Sequence, residues 1–173
     1  MLTRQVSLSA LIFIFFYLIQ ESVVTQFHLP AGGFSIFLIF TLVWAVLSTP
    51  VIGALSGFAA GFLMDLSQSS SGPFGQWILI MILACYAISL LNYGNEKLRG
   101  NFIEIVFFIV VGVLATELCF LITGALLGVA TGSIDQIILT LIGISIWTLV
   151  ITPLSMPVFA RLHGFVFNTR MHI

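Results

Sequence analysis

The sequence predicts an all-α, polytopic membrane protein of six transmembrane helices, and three observations carry that prediction. The first is composition. Charged residues are 6% of the 173, against about 25% in a soluble globular domain, while apolar types reach 60% and mean hydropathy is +1.23. Eleven charged side chains, 5 basic and 6 acidic, cannot cover a water-soluble fold of this size. The second is a succession of six apolar stretches. The third is that six crossings place every Lys and Arg on one side. The same figures exclude disorder, collagen-like repeats and a disulfide scaffold. A net charge of −1, with no basic run longer than Lys97-Leu98-Arg99, excludes a nucleic-acid partner. Cys85 and Cys119 lie inside apolar runs and read as reduced, space-filling thiols.

The first apolar stretch covers residues 6–27. A crossing needs about 20 residues at about 1.5 Å each to span about 30 Å of hydrocarbon. Arg4 precedes it as in a signal peptide, but the run is long for such a segment and 20–28 lacks a small-x-small cleavage pattern, so it is expected to stay as an anchor. The second stretch (34–49) and third (51–66) are short and separated only by Pro50. Together they are too long for one crossing, and Pro50 biases Thr49 away from helix, so a tight helical hairpin is predicted. The fourth covers 74–92, the fifth 102–127, and the sixth begins near 137. Pro153 and Pro157 interrupt the sixth, which would measure about 46 Å as one helix from 137 to 167. A kink is expected there, with 158–167 lying along the cytoplasmic interface.

Orientation follows from the bases. Arg4, Lys97, Arg99, Arg161 and Arg170 are all of them, and six crossings put them at the N-terminus, in the loop after the fourth helix and at the C-terminus. The opposite loops (26–33, 67–72 and 128–135) have none. Positive charge stays inside, so both termini are cytoplasmic. Residues 1–173 then form a single six-helix transmembrane domain, with extramembrane segments of about ten residues that are too short for a catalytic or binding module.

Within this frame, Gly53, Gly57, Gly61 and Asp65 recur every fourth residue, forming one slowly winding stripe. Small residues let another helix approach closely, either within the chain or from a partner. Asp65 ends its helix, where the macrodipole disfavours an anion. Outside water, hydrogen bonds from residues 67–75 and the start of the fourth helix, or a cation on a ligand or partner would each answer that cost. Glu21 and Glu117 lie roughly 23 Å from the cytoplasmic ends of their helices, in the outer part of the bilayer with Asp65 and Asp135. Four outer acids thus face no outer base. Burying an unpaired carboxylate costs several kcal/mol, so Glu117 is protonated, hydrated in an outward-open cavity or paired with another molecule.

Enzyme signatures are missing. HExxH and GxSxG are absent, and Ala54 stands where an intramembrane serine-protease motif around Ser56 would want Gly. His28 falls in an outer loop, while His163 and His172 fall at the cytoplasmic end, so none joins Ser56 in a dyad. No metal-ligand cluster, phosphate loop or cofactor motif is present, and no catalysis, metal or cofactor is expected. A channel would need a polar stripe continuous across the membrane, which is lacking.

The segment from Gly53 through Gly57, Gly61-Phe62-Leu63-Met64-Asp65 and Leu66, followed by Gly72-Pro73-Phe74-Gly75, resembles the MreD family of bacterial rod shape-determining membrane proteins. That family's pattern is a glycine-spaced helix ending in an aspartate, then a short polar loop ending in Pro-hydrophobic-Gly. Six helices and a Pro-containing last helix running into Arg161 extend the resemblance over essentially the whole chain. Two loops depart from it: Pro30-Ala31-Gly32-Gly33 stretches the proline lead-in to the second helix, and 67–71 is rich in Ser. The resemblance implies a fold similar to the substrate-binding subunits of energy-coupling-factor vitamin transporters. It implies a non-enzymatic scaffold in the bacterial cytoplasmic membrane that binds MreC and, through it, links MreB filaments to RodA and a class-B penicillin-binding protein in peptidoglycan synthesis. The competing class is a vitamin-binding transporter subunit, whose outer-half pocket would coincide with Glu21, Asp65 and Glu117. Such subunits dock through an Ala-x-x-x-Ala run in the first helix, absent here.

The threading makes a direct prediction. A membrane-impermeant thiol reagent applied to intact cells should modify Ser70→Cys and Gly132→Cys but not Asn95→Cys; modification of Asn95→Cys overturns it.

Overall fold

The computed structural model describes residues 2–22, 33–67, 72–93, 102–129 and 133–167. All regular structure among them is helical: α1 (Leu2–Ser22), α2 (Ile36–Leu47), α3 (Pro50–Asp65), α4 (Gln76–Asn92), α5 (Phe102–Leu126) and α6 (Ile134–Phe167). Ile103–Leu126 and Ile134–Phe167 are long and apolar enough to cross a membrane. The 12 residues of α2, 16 of α3 and 17 of α4 reach about 18, 24 and 26 Å.

The shortest helix is the centre. Its sequence, IFLIFTLVWAVL, has no polar face, which suits a protein core or lipid alike, but at about 18 Å it is too short to face hydrocarbon with its end groups satisfied. Every residue from Phe37 to Val46 is buried, and α2 meets all five other helices. Thr41 is accommodated because its hydroxyl donates to the Phe37 carbonyl at 2.8 Å. Aromatic rings seal the wall: Phe40 stacks on Phe16 of α1 at 4.4 Å and meets Phe13 edge-on at 5.0 Å and Phe159 of α6 at 5.2 Å.

Both ends of α2 are closed by side chains. At the N-terminus Ser35 accepts from the Leu38 amide at 3.2 Å, and Gln20 of α1 accepts from the Ile36 amide at 2.9 Å. At the other end Ser89 and Asn92 of α4 donate to the Ala45 and Val46 carbonyls, each at 2.6 Å. Ser48 and Thr49 make the turn, and Pro50 starts α3 where a missing N–H costs nothing.

The last segment departs from expectation. Residues 158–167 do not leave α6 for an interface position; the helix continues unbroken from Ile134 through Pro153 and Pro157 to Phe167. Phe159, Ala160, His163 and Val166 turn inward, with His163 against Trp44 at 4.9 Å. The aromatic wall of α1 and α2 gives this stretch more apolar contact than a water interface would.

Phe40 is 0% exposed and Phe15 58%. In detergent, Phe40→Ala should therefore lower stability by about 3–5 kcal/mol. Phe15→Ala should leave the unfolding midpoint nearly unchanged.

Candidate functional site

The glycine stripe lies against α4. A Cβ at Gly57 would sit 2.3 Å from the Met81 carbonyl oxygen, and one at Gly61 2.6 Å from that of Trp77. At Gly53 it would meet the Ser89 hydroxyl at 2.0 Å. Of the two uses open to such a stripe, the chain's own α4 takes it, backbone nearly against backbone.

Asp65 completes the same contact. Its Oδ2 accepts from the Gly75 amide at 2.9 Å and the Ile78 amide at 3.1 Å, and its Oδ1 from the Trp77 amide at 3.1 Å. Gly75, at φ +96°, occupies the N-cap position of α4 and brings no side chain to cap it. Asp65 supplies that cap from the neighbouring helix. Its charge, unfavourable at the C-terminus of α3, meets the positive end of the α4 dipole, which offsets the cost. Pro73 precedes the N-cap, so it lies just outside the first turn rather than in it.

Glu21 comes to the same corner. The Ser67 hydroxyl donates to its carboxylate, and Ser67 follows Asp65 by two residues. Glu117 is not brought there. It sits half-buried on α5, at the margin of the stripe formed by Ile105, Ile109, Val113 and Thr116, and makes no hydrogen bond or ion pair among the described residues. Asp135 is exposed in the first turn of α6, where the dipole favours it. Arg161 is exposed on α6. Of the other bases, Arg4 is in α1 with its side chain outside the described residues, as are Lys97, Arg99 and Arg170 entirely. His28, His172 and the departing loop residues 30–32 and 68–71 also lie outside them.

Three features escaped sequence reasoning. His163 Nε2 lies 3.1 Å from the Ser48 hydroxyl, tying α6 to the turn between α2 and α3. Both residues are buried beside Trp44, and the pair acts as a clamp. Gln76 donates to the Phe120 carbonyl at 2.8 Å and the Thr123 hydroxyl at 2.7 Å, while Trp77 stacks on Phe120 at 4.4 Å, so the α4 start also holds α5. An apolar cavity of about 290 Å³ opens between α1 and α3, floored by Trp44, with Ser9 and Ser56 on its walls. The Ser56 hydroxyl is turned onto its own helix, donating to the Ile52 carbonyl at 2.8 Å. Isolated polar residues in apolar helices were the available signal; their pairing was not. Among the described residues no group of three or more His, Cys, Asp or Glu could hold a metal.

No family model, curated protein or solved structure matches this chain.

Three variants probe the contact of α3 with α4. Gly57→Leu should force α3 from α4 and abolish stable folding, whereas Phe58→Leu, on the exposed face, should be mild; equal tolerance contradicts the packing. Asp65→Ala should cost at least about 2 kcal/mol, because three amides at the head of α4 lose their acceptor.

Proposed function

We propose that this chain is a non-enzymatic scaffold of the bacterial cell-elongation machinery, similar to MreD, crossing the cytoplasmic membrane six times with both termini inside. The observation that carries the reading is the use made of the family-like residues. Gly53, Gly57, Gly61 and Asp65 together with Gly75 make one internal strut, so the pattern has a physical reason that needs no substrate. Both oxygens of Asp65 are engaged by backbone amides, which leaves it poorly suited to hold a vitamin and weighs against the transporter alternative.

The short helices are compatible with six crossings. A lipid-facing helix of about 18 Å would leave backbone groups unmet in hydrocarbon, but α2 is enclosed by protein, where non-helical flanks are tolerated. The one-sided distribution of Lys and Arg supports the orientation. On this reading the partner is MreC, a bitopic protein, and through it MreB, RodA and a class-B penicillin-binding protein; lipid covers the remaining surface.

Affinity purification of the tagged protein from bacterial membranes in mild detergent is the test. The scaffold reading expects a bitopic elongation protein of the MreC kind to co-purify. Recovery of an energy-coupling ATPase module, or of a vitamin released on denaturation, would overturn it in favour of the transporter.

A further inference from the structure

Small residues on α3 have two different outcomes. Gly53, Gly57 and Gly61 bring the helix against the α4 backbone. On a different face, Ser56 and Ala59 share a cavity with Ser9 and Ala10 of α1, and there the two helices stay apart. Phe13 and Trp44, edge-on at 5.7 Å, are wedged behind the gap, which measures about 290 Å³. Its mouth is on the surface of the bundle: Ala10 and Ala59 are exposed there, with Leu55 at 60% and Phe58 at 48%. Water is poorly held in such a space. The walls are almost wholly carbon, and the Ser56 hydroxyl is spent on the Ile52 and Gly53 carbonyls at 2.8 and 2.9 Å. Left empty, the walls forfeit the dispersion contacts that a filled core makes.

Depth identifies the occupant. On the six-crossing reading, on which this inference rests, the α3 wall runs from Ile52 to Ala59, about 3 to about 14 Å from the cytoplasmic start of the helix at Pro50. One leaflet holds about 15 Å of hydrocarbon, so the cavity spans that leaflet lengthwise. We propose that it lodges one acyl chain of a phospholipid of the cytoplasmic leaflet. At about 30 Å³ for each methylene, near the share of a water in the liquid, it takes roughly ten carbons. The rest of the chain has a track to follow, because Phe58 at the mouth stacks on Phe62 at 6.4 Å toward the bilayer centre. A chain lying along α3 fills the void from end to end. A side chain from a partner helix enters crosswise and leaves most of it empty. The phospholipid is already present at this depth, with its head group level with the turn at Ser48 and Thr49.

Trp44 on the cavity floor is a built-in reporter. It is 1% exposed, so lipid that stays outside the bundle does not touch it. With Trp77→Phe and Trp147→Phe it is the only tryptophan left of three. The full-length protein is placed in bilayers of phospholipid brominated on the acyl chains, where bromine quenches tryptophan on contact. Trp44 lies about 5 Å from the cytoplasmic end of α2, so bromine near the head group should quench it more than bromine near the chain end. Ala10→Phe and Ala59→Phe each plug the mouth and should abolish the quenching with an unchanged thermal midpoint. Leu83→Phe, exposed on α4, should leave it intact. Unquenched Trp44, or quenching that survives both plugs, overturns the proposal. Mass spectrometry of the protein released from mild detergent should show one retained phospholipid; a free fatty acid in its place overturns the source. A Phe15→Trp reporter, with all three native tryptophans replaced by Phe, separates the two levels. If it is quenched while Trp44 is not, the chain is in the bilayer and the cavity proposal alone fails; if neither is quenched, the six-crossing reading fails with it.

Discussion

An apolar helix of only twelve residues is too short to face hydrocarbon without exposing its end groups, so it has to be enclosed by protein, and the rest of the structure is arranged around that need. α2 carries no charged residue, and its only hydroxyl is returned to its own backbone. Five other helices form its walls, and aromatic rings from α1 and α6 fill the space around Phe40 and Trp44. The continuation of α6 past two prolines follows from the same demand, since its final turns complete the wall.

Enclosing a short helix creates a second problem, because both ends carry backbone groups that an apolar surrounding cannot satisfy. The polar residues of this otherwise apolar chain are directed at that problem. Gln20 and Ser35 serve the N-terminus of α2, while Ser89 and Asn92 serve its last carbonyls. Asp65 does the same for α4 and in doing so fixes the glycine-lined contact of α3 with α4. Apart from the local Ser35 cap, each such bond also joins two helices, so closing helix ends and fastening the bundle are largely one operation. Glu117, half-buried on α5, does not fit this scheme.

Much of the fold could be read in the sequence. Pro50 marks the hairpin, and α2 and α3 meet there with only Ser48 and Thr49 between them. The four-residue glycine spacing announced a close helix contact, and amides at the start of the fourth helix were one of the answers foreseen for Asp65. The central place of α2 was not legible, because in a chain this apolar a core helix and a lipid-facing helix have the same composition. Sequence spacing also could not pair Asn92 with Val46 or Ser48 with His163, contacts made across 46 and 115 residues. The inward turn of residues 158–167 was missed because Arg161 and the two prolines suggested an interface, whereas the buried stripe through Phe159, His163 and Val166 decides the outcome.

The central claim is that α2 is enclosed by protein and never faces the bulk lipid. Photolabelling the native protein in bilayers whose acyl chains carry a carbene precursor, with adducts mapped by mass spectrometry, tests it without any substitution. The account predicts adducts on exposed positions such as Phe15, Phe62, Leu118 and Leu139, and none from Phe37 to Val46 apart from Trp44 on the cavity floor. Labelling of α2 at the level of α5, recurring along one face, would contradict it.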